Sequence, residues 1–131
     1  MTEAQTLVVL GTLQDGGSPH MGCMKSCCAS ERPNDYVVSL GVIDESKHFI
    51  FDASPDIVSQ TNYLQLISPA KEFEIFLTHA HIGHYTGLMY LGREGLGGDK
   101  INVYALKRMA AFLRKNGPWN QLVKLKNINI Q

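Results

Sequence analysis

Few features of this sequence cross-link the chain or steer it by charge. Three cysteines in 131 residues cannot complete a disulfide framework, and an odd number suits a reducing compartment or a metal site better. Twelve basic and twelve acidic side chains cancel, so no global field draws the chain to nucleic acid or to an anionic membrane. The pairs Lys107-Arg108 and Arg114-Lys115 read instead as the wet side of a helix. No apolar run approaches a membrane span, Met1-Thr2-Glu3-Ala4-Gln5 lacks a basic leader, and residues 7–10 are too short for a signal-peptide core. The expected address is the cytoplasm, and the expected partner is a small-molecule substrate rather than nucleic acid or membrane. Internal repeats and low-complexity segments are missing. So are the Lys-Ser/Thr that would complete a phosphate loop after residues 11–17 and any Gly-x-Ser-x-Gly nucleophile elbow. With 44% hydrophobic and 18% charged residues, the composition is that of one globular domain over residues 1–131.

The apolar pattern supplies the elements. Thr6-Leu7-Val8-Val9-Leu10 reads as a buried first strand that ends at Gly11. Residues 11–35 show no periodicity, and a loop that long in a compact domain is usually functional or pinned. Two strands, 36–42 and 47–52, flank Asp44-Glu45-Ser46 and predict a hairpin. Ser54-Pro55-Asp56 then offers an N-cap, a proline and a first-turn acid for a helix to about residue 65, with Ile57, Thr61 and Leu64 on its inner face. A strand at 73–77, a helix at 84–91, a mobile glycine-rich loop at 92–98 and a strand at 101–105 should follow. Leu106, Met109, Ala110 and Leu113 mark the inner face of a last helix, which Gly117-Pro118 stops. The alternation over 122–130 predicts a final strand. Strands alternating with helices after a hairpin imply a layered α/β architecture.

The chemistry concentrates at His79-Ala80-His81-Ile82-Gly83-His84, where three of the five histidines lie within six residues after an apolar strand. Neutral imidazole is the commonest protein ligand for zinc, and residues i and i+2 of an extended segment point the same way. His79 and His81 can therefore hold one ion together, and His84, in the first turn of a helix, can turn back towards the same pocket. This pattern points to metal-assisted hydrolysis. A second cluster is Cys23-Met24-Lys25-Ser26-Cys27-Cys28 with His20 three residues upstream. Thiolates and imidazole suit a closed structural zinc site, which would pin the long loop, although the spacing also allows plain reduced thiols. A cysteine nucleophile paired with His20 or His48 has no support beyond coincidence.

The segment Thr78-His79-Ala80-His81-Ile82-Gly83-His84 resembles the His-x-His-x-Asp-His signature of the metallo-β-lactamase superfamily, and Phe49-Ile50-Phe51-Asp52-Ala53-Ser54 resembles its first motif. Together with Leu10-Gly11-Thr12, order and spacing match over nearly the whole chain. The early loop Gln14-Asp15-Gly16-Gly17-Ser18-Pro19-His20-Met21-Gly22-Cys23 looks most like the pyrroloquinoline quinone biosynthesis protein B group. The resemblance implies a mixed sheet with helices on one face, the N-terminal half of a four-layer αββα sandwich. It also implies that His79 and His81 hold a first ion and that His84 belongs to a second. Asp52 would accept a hydrogen bond from the metal loop rather than ligate, although a plain acid at a helix N-terminus needs the same position.

Two departures stand out. Gly83 replaces the aspartate that ordinarily ligates the second ion, and no histidine follows His84 to supply the ligands of the second half. The expectation is therefore a chain that covers about half of the fold, exposes an apolar sheet face and associates with its missing half or with a second copy. Relatives with a Cys-x-Cys-x-x-Cys zinc knuckle also differ from the spacing here. The leading function is a metal-dependent hydrolase using one or two zinc ions, with iron or manganese as substitutes. The alternatives are an iron-dependent oxidative step in cofactor biosynthesis and a non-catalytic domain stabilised by zinc.

Overall fold

A computed structural model describes residues 5–29 and 35–131. The extreme N-terminus and residues 30–34 of the long loop, on which part of the leader and loop readings fall, lie outside the described residues. Six strands form one sheet in the order of the chain: β1 (Thr6–Gly11), β2 (Ser39–Ile43), β3 (Lys47–Phe51), β4 (Glu72–Phe76), β5 (Ile101–Tyr104) and β6 (Ile128–Ile130). β1, β2 and β3 pair antiparallel, and β3 to β6 pair parallel. The mixed sheet follows from the connections: the Asp44-Glu45-Ser46 turn closes a hairpin, whereas each later strand is reached through helical chain.

The helices are α1 (Ser26–Ala29), α2 (Ile57–Ile67), α3 (Lys107–Lys115) and α4 (Trp119–Lys124). One core joins Ile57 and Leu64 of α2, Met109, Ala110 and Leu113 of α3 and Leu122 of α4 to Ile50, Ile75, Val103 and Ile128 of the sheet. The core therefore lies on one face of the sheet. The other face carries a row, Val9, Leu40, Phe51, Phe76 and Tyr104, that follows the strand registers. Phe76 stacks on Tyr104 with ring centroids 4.4 Å apart and on Phe51 at 5.3 Å. These residues are only partly covered, and Val9 is 61% exposed.

Several expectations are corrected. Residues 84–91 form no α-helix but two 3-10 stretches, Ile82–His84 and Thr86–Leu91. The cause is tertiary: the His84 carbonyl accepts from Ala53 N and the Gly87 N–H donates to the Ala53 carbonyl, so neither group serves an α-helical ladder. The 122–130 alternation is split between α4 and the short β6, because Leu122 faces the core from a helix. Leu106 precedes α3 and is exposed rather than on its inner face. In α2 the inner positions are Ile57, Gln60 and Leu64, with Thr61 only half-buried. Its N-cap position is Asp56, whose carboxylate turns away to accept from Val37 N at 2.8 Å, while Ser54 Oγ accepts from Asp56 N. The glycine-rich segment 92–98 is a set of hydrogen-bonded turns in which Gly97 N and Gly95 N both donate to Gly92 O.

Two devices hold the chain to the site. The Gln60 side chain accepts from Ser54 Oγ at 2.7 Å and donates to Val37 O at 2.8 Å, tying α2 to the segment before β2. Thr12 and Leu13 N–H both donate to Tyr36 O, which closes the long loop at its base.

Candidate metal centre

β3 and β4 run parallel in register, Phe51 opposite Phe76, so the residues that leave their carboxyl ends meet. Asp52 leaves β3 with φ 70, an uncommon left-handed conformation that aspartate tolerates better than most side chains. Its N–H donates to Phe76 O at 2.8 Å, and its carboxylate reaches the loop after β4. Oδ1 accepts from Thr78 N at 2.8 Å; Oδ2 accepts from Thr78 Oγ1 at 2.7 Å and from His84 Nδ1 at 2.7 Å. Asp52 is buried, and three protein donors occupy its two oxygens.

These bonds set the histidine tautomers. Thr78 Oγ1 spends its proton on Asp52, so it accepts from His79 Nδ1 at 2.8 Å, which leaves His79 Nε2 with a free lone pair. That nitrogen stands 3.1 Å from His81 Nδ1. Two nitrogens on a tetrahedral zinc at about 2.0–2.1 Å lie about 3.3 Å apart, so the pair is spaced as ligands of one ion. The donor set fits a zinc-class cation on this geometry. Both rings are exposed, so the position is open to solvent. The His84 ring is buried and lies 3.9 Å, centroid to centroid, from His79. Candidate ligand atoms of Asp52, His79 and His84 lie within 4.8 Å of one another.

Asp15, quoted in the loop motif but given no role by the sequence reasoning, also reaches the centre. It sits in the long loop, 68 residues from Gly83, yet its Oδ2 accepts from Gly83 N at 3.0 Å and its Oδ1 lies 3.1 Å from His84 Nε2. The Gly83 N–H holds the Asp15 carboxyl below the usual carboxylate range, against a smaller opposing effect of burial. Its one sequence signal was that loop's need for a pin.

The three cysteines converge as well, with sulfurs within 4.8 Å of one another and no disulfide between them. Hydrogen bonding to Cys28 raises the Cys23 thiol above its ordinary range. His20 does not join this group; its ring lies over Gly16, where an added Cβ would fall 2.5 Å from it, and its Nδ1 contacts Met21 O. Beside His79 a groove of about 440 Å³ is walled by Leu77, Tyr85, Met109 and Phe112, with Arg108 the charged group at its edge.

The family description "Beta-lactamase superfamily domain" matches residues 47–131, which takes in Asp52, the three histidines and four of the six strands. The chain belongs to the metallo-β-lactamase superfamily. Among solved structures it is similar to a diphosphatase of the PhnP family, with 24% identity and a TM-score of 0.69 over 97% of this chain and 49% of that one. It is likewise similar to Zn(2+)-bound PqqB from Methylobacterium extorquens, with 23% identity and a TM-score of 0.77 over 98% of this chain and 48% of that one. Identities this low carry the fold. The superfamily chain described here spans about half the length of both structures. No curated protein matches it. Among the described residues no helix is long and apolar enough to cross a membrane.

Proposed function

We propose that this chain carries the histidine side of a metal-dependent hydrolase centre similar to that of the PqqB group. The observation that supports the reading best is the 3.1 Å pair of His79 Nε2 and His81 Nδ1, with the His79 tautomer imposed by Thr78 and Asp52. Asp52 positions the loop: it grips Thr78 by both backbone and hydroxyl and orients His84, the work that carboxylates behind metal-binding histidines commonly do. A bound cation would supply Lewis acidity and lower the pKa of water from ~15.7 towards ~7, giving hydroxide at neutral pH.

The groove beside His79 gives the substrate its place. Apolar walls and one guanidinium, Arg108, suit a molecule with an apolar body and an anionic group, and a diphosphatase of the PhnP family is among the solved relatives. Zinc is the expected metal, in line with the zinc-bound PqqB relative, while imidazole ligands also serve iron and manganese. Cys23, Cys27 and Cys28 are proposed as a separate structural zinc site that pins the long loop. The uncovered sheet face is proposed to pack against a second sheet from further sequence, since the two solved relatives are about twice as long.

Metal analysis of the purified chain tests the central claim. The parent should hold metal that His79→Ala combined with His81→Ala removes. If the double variant keeps the same content, the His79 and His81 assignment is wrong. Restoring the stripped protein with zinc or iron, and following oxygen uptake, separates hydrolysis from an oxidative reaction at the same histidines.

A further inference from the structure

We propose that Asp15 is a metal ligand, which completes with His84 Nε2 a second cation position beside that of His79 and His81. The inference rests on the metal reading above and assigns a residue from outside the histidine motif.

The first support is a conflict of lone pairs. His84 Nδ1 gives its proton to Asp52 Oδ2 at 2.7 Å, so in the neutral ring Nε2 is an acceptor. It nevertheless faces the carboxylate oxygen Asp15 Oδ1 at 3.1 Å. Such a distance is held either by a proton on Nε2, which makes the ring an imidazolium between two carboxylates, or by a metal cation between the two atoms. A cation of the zinc class, with nitrogen and oxygen ligands at about 2.0–2.2 Å in tetrahedral geometry, spaces them by about 3.3 Å.

The second support is the shape of the loop. Gly83 N–H binds Asp15 Oδ2 at 3.0 Å, which fixes the carboxylate so that Oδ1 faces His84. A Cβ on Gly83 would come 2.7 Å from Asp15 Cγ and 3.0 Å from its Cα and Cβ. A side chain at 83 and the carboxylate of Asp15 therefore exclude each other. The glycine leaves room for a carboxylate delivered from the long loop, at the edge of a ring that lies 3.9 Å from His79. Asp52 is less available for the role, because Thr78 and His84 take three of its four acceptor positions.

The test is a zinc titration of the full chain against a competing chromophoric chelator, with Asp15→Asn, His84→Gln and the double variant alongside. Asparagine keeps an oxygen for Gly83 N–H but removes the charge. Both single variants should lose the same one equivalent, or bind it at least about tenfold more weakly, and the double variant should lose no more. The cysteine cluster contributes equally to every sample and cancels in the comparison. A parent that binds no zinc dependent on His79 and His81 defeats the functional reading. A parent that binds it while Asp15→Asn binds as much, as a simple ion pair to His84 would give, overturns the inference alone. Should Asp15→Asn fail to fold, the exchange Asp15→Gly with Gly83→Asp returns the carboxylate from the other side. Recovery of the parent's zinc content supports the assignment, and a folded exchange variant one equivalent short overturns it.

Discussion

At the residue scale, the histidines of this chain divide by what surrounds their rings. His84 is buried, with Asp52 Oδ2 2.7 Å from its Nδ1 and Asp15 Oδ1 3.1 Å from its Nε2. His48, in β3, is 1% exposed, and its Nε2 has no hydrogen-bond partner. Burial alone pushes the His48 pKa down from 6.5, because the core cannot solvate an imidazolium. The unfolded chain therefore binds a proton on His48 more readily than the folded one, and stability rises with pH where they differ. The contribution is intact above about pH 6.5 and is lost as pH falls below it. Melting curves at about pH 7.5 and about pH 5.5 should show a drop in the parent that His48→Leu reduces; an equal drop in both would mean that another group carries it. The histidine centre was legible in the sequence since its three imidazoles are neighbours along one loop. Asp15 was not, because its meaning depends on a contact across 68 residues and on a space that only the folded loop reveals.

At the element scale, the strands were legible because their apolar residues meet a sheet that needs them, and β3 and β4 differ from expectation by single residues. The helical segments were less so where tertiary bonds overrule local preference. The stretch after the histidines packs so closely on the segment after β3 that a Cβ at Gly87 would lie 2.0 Å from Ser54 O and 2.8 Å from Ala53 O. Both neighbours are backbone, and the Gly87 N–H is bonded to one of them, so the approach cannot relax by turning a side chain. Gly87→Ala is expected to cost about 1–3 kcal/mol or more, in the range of core overpacking. Since the same backbone carries His84 to Asp52, the variant should also bind zinc less tightly. Chemical denaturation checks the first effect and the chelator titration the second; a variant of parental stability would contradict the close approach. Likewise, only residues 128–130 of the strand expected over 122–130 formed one, because alternation over a few residues does not distinguish a short strand from a helix with one buried position, Leu122.

At the scale of the whole molecule, the sheet has one face packed against helices and one open. Along the open face runs the ladder Val9, Leu40, Phe51, Phe76 and Tyr104, with Leu7, Val42 and Phe49 in the next row. The exposed apolar face was expected from the resemblance to a fold of two halves, and the strands carry apolar residues where a sheet with one wet side would carry polar ones. β1 also lies at the edge of the sheet, with Leu7 64% and Val9 61% exposed. A continuous apolar face and an unpaired edge strand both favour association, so the 131-residue chain on its own should self-associate with rising concentration. Leu7→Lys combined with Val9→Lys places charge on that edge and at the end of both rows. Because both side chains are already mostly exposed, their loss should leave the melting temperature near that of the parent. Sedimentation velocity should then show the variant shifted towards the monomer. Equal association in variant and parent would place the contact surface elsewhere, and the open face would lose its proposed role as the seat of a second sheet.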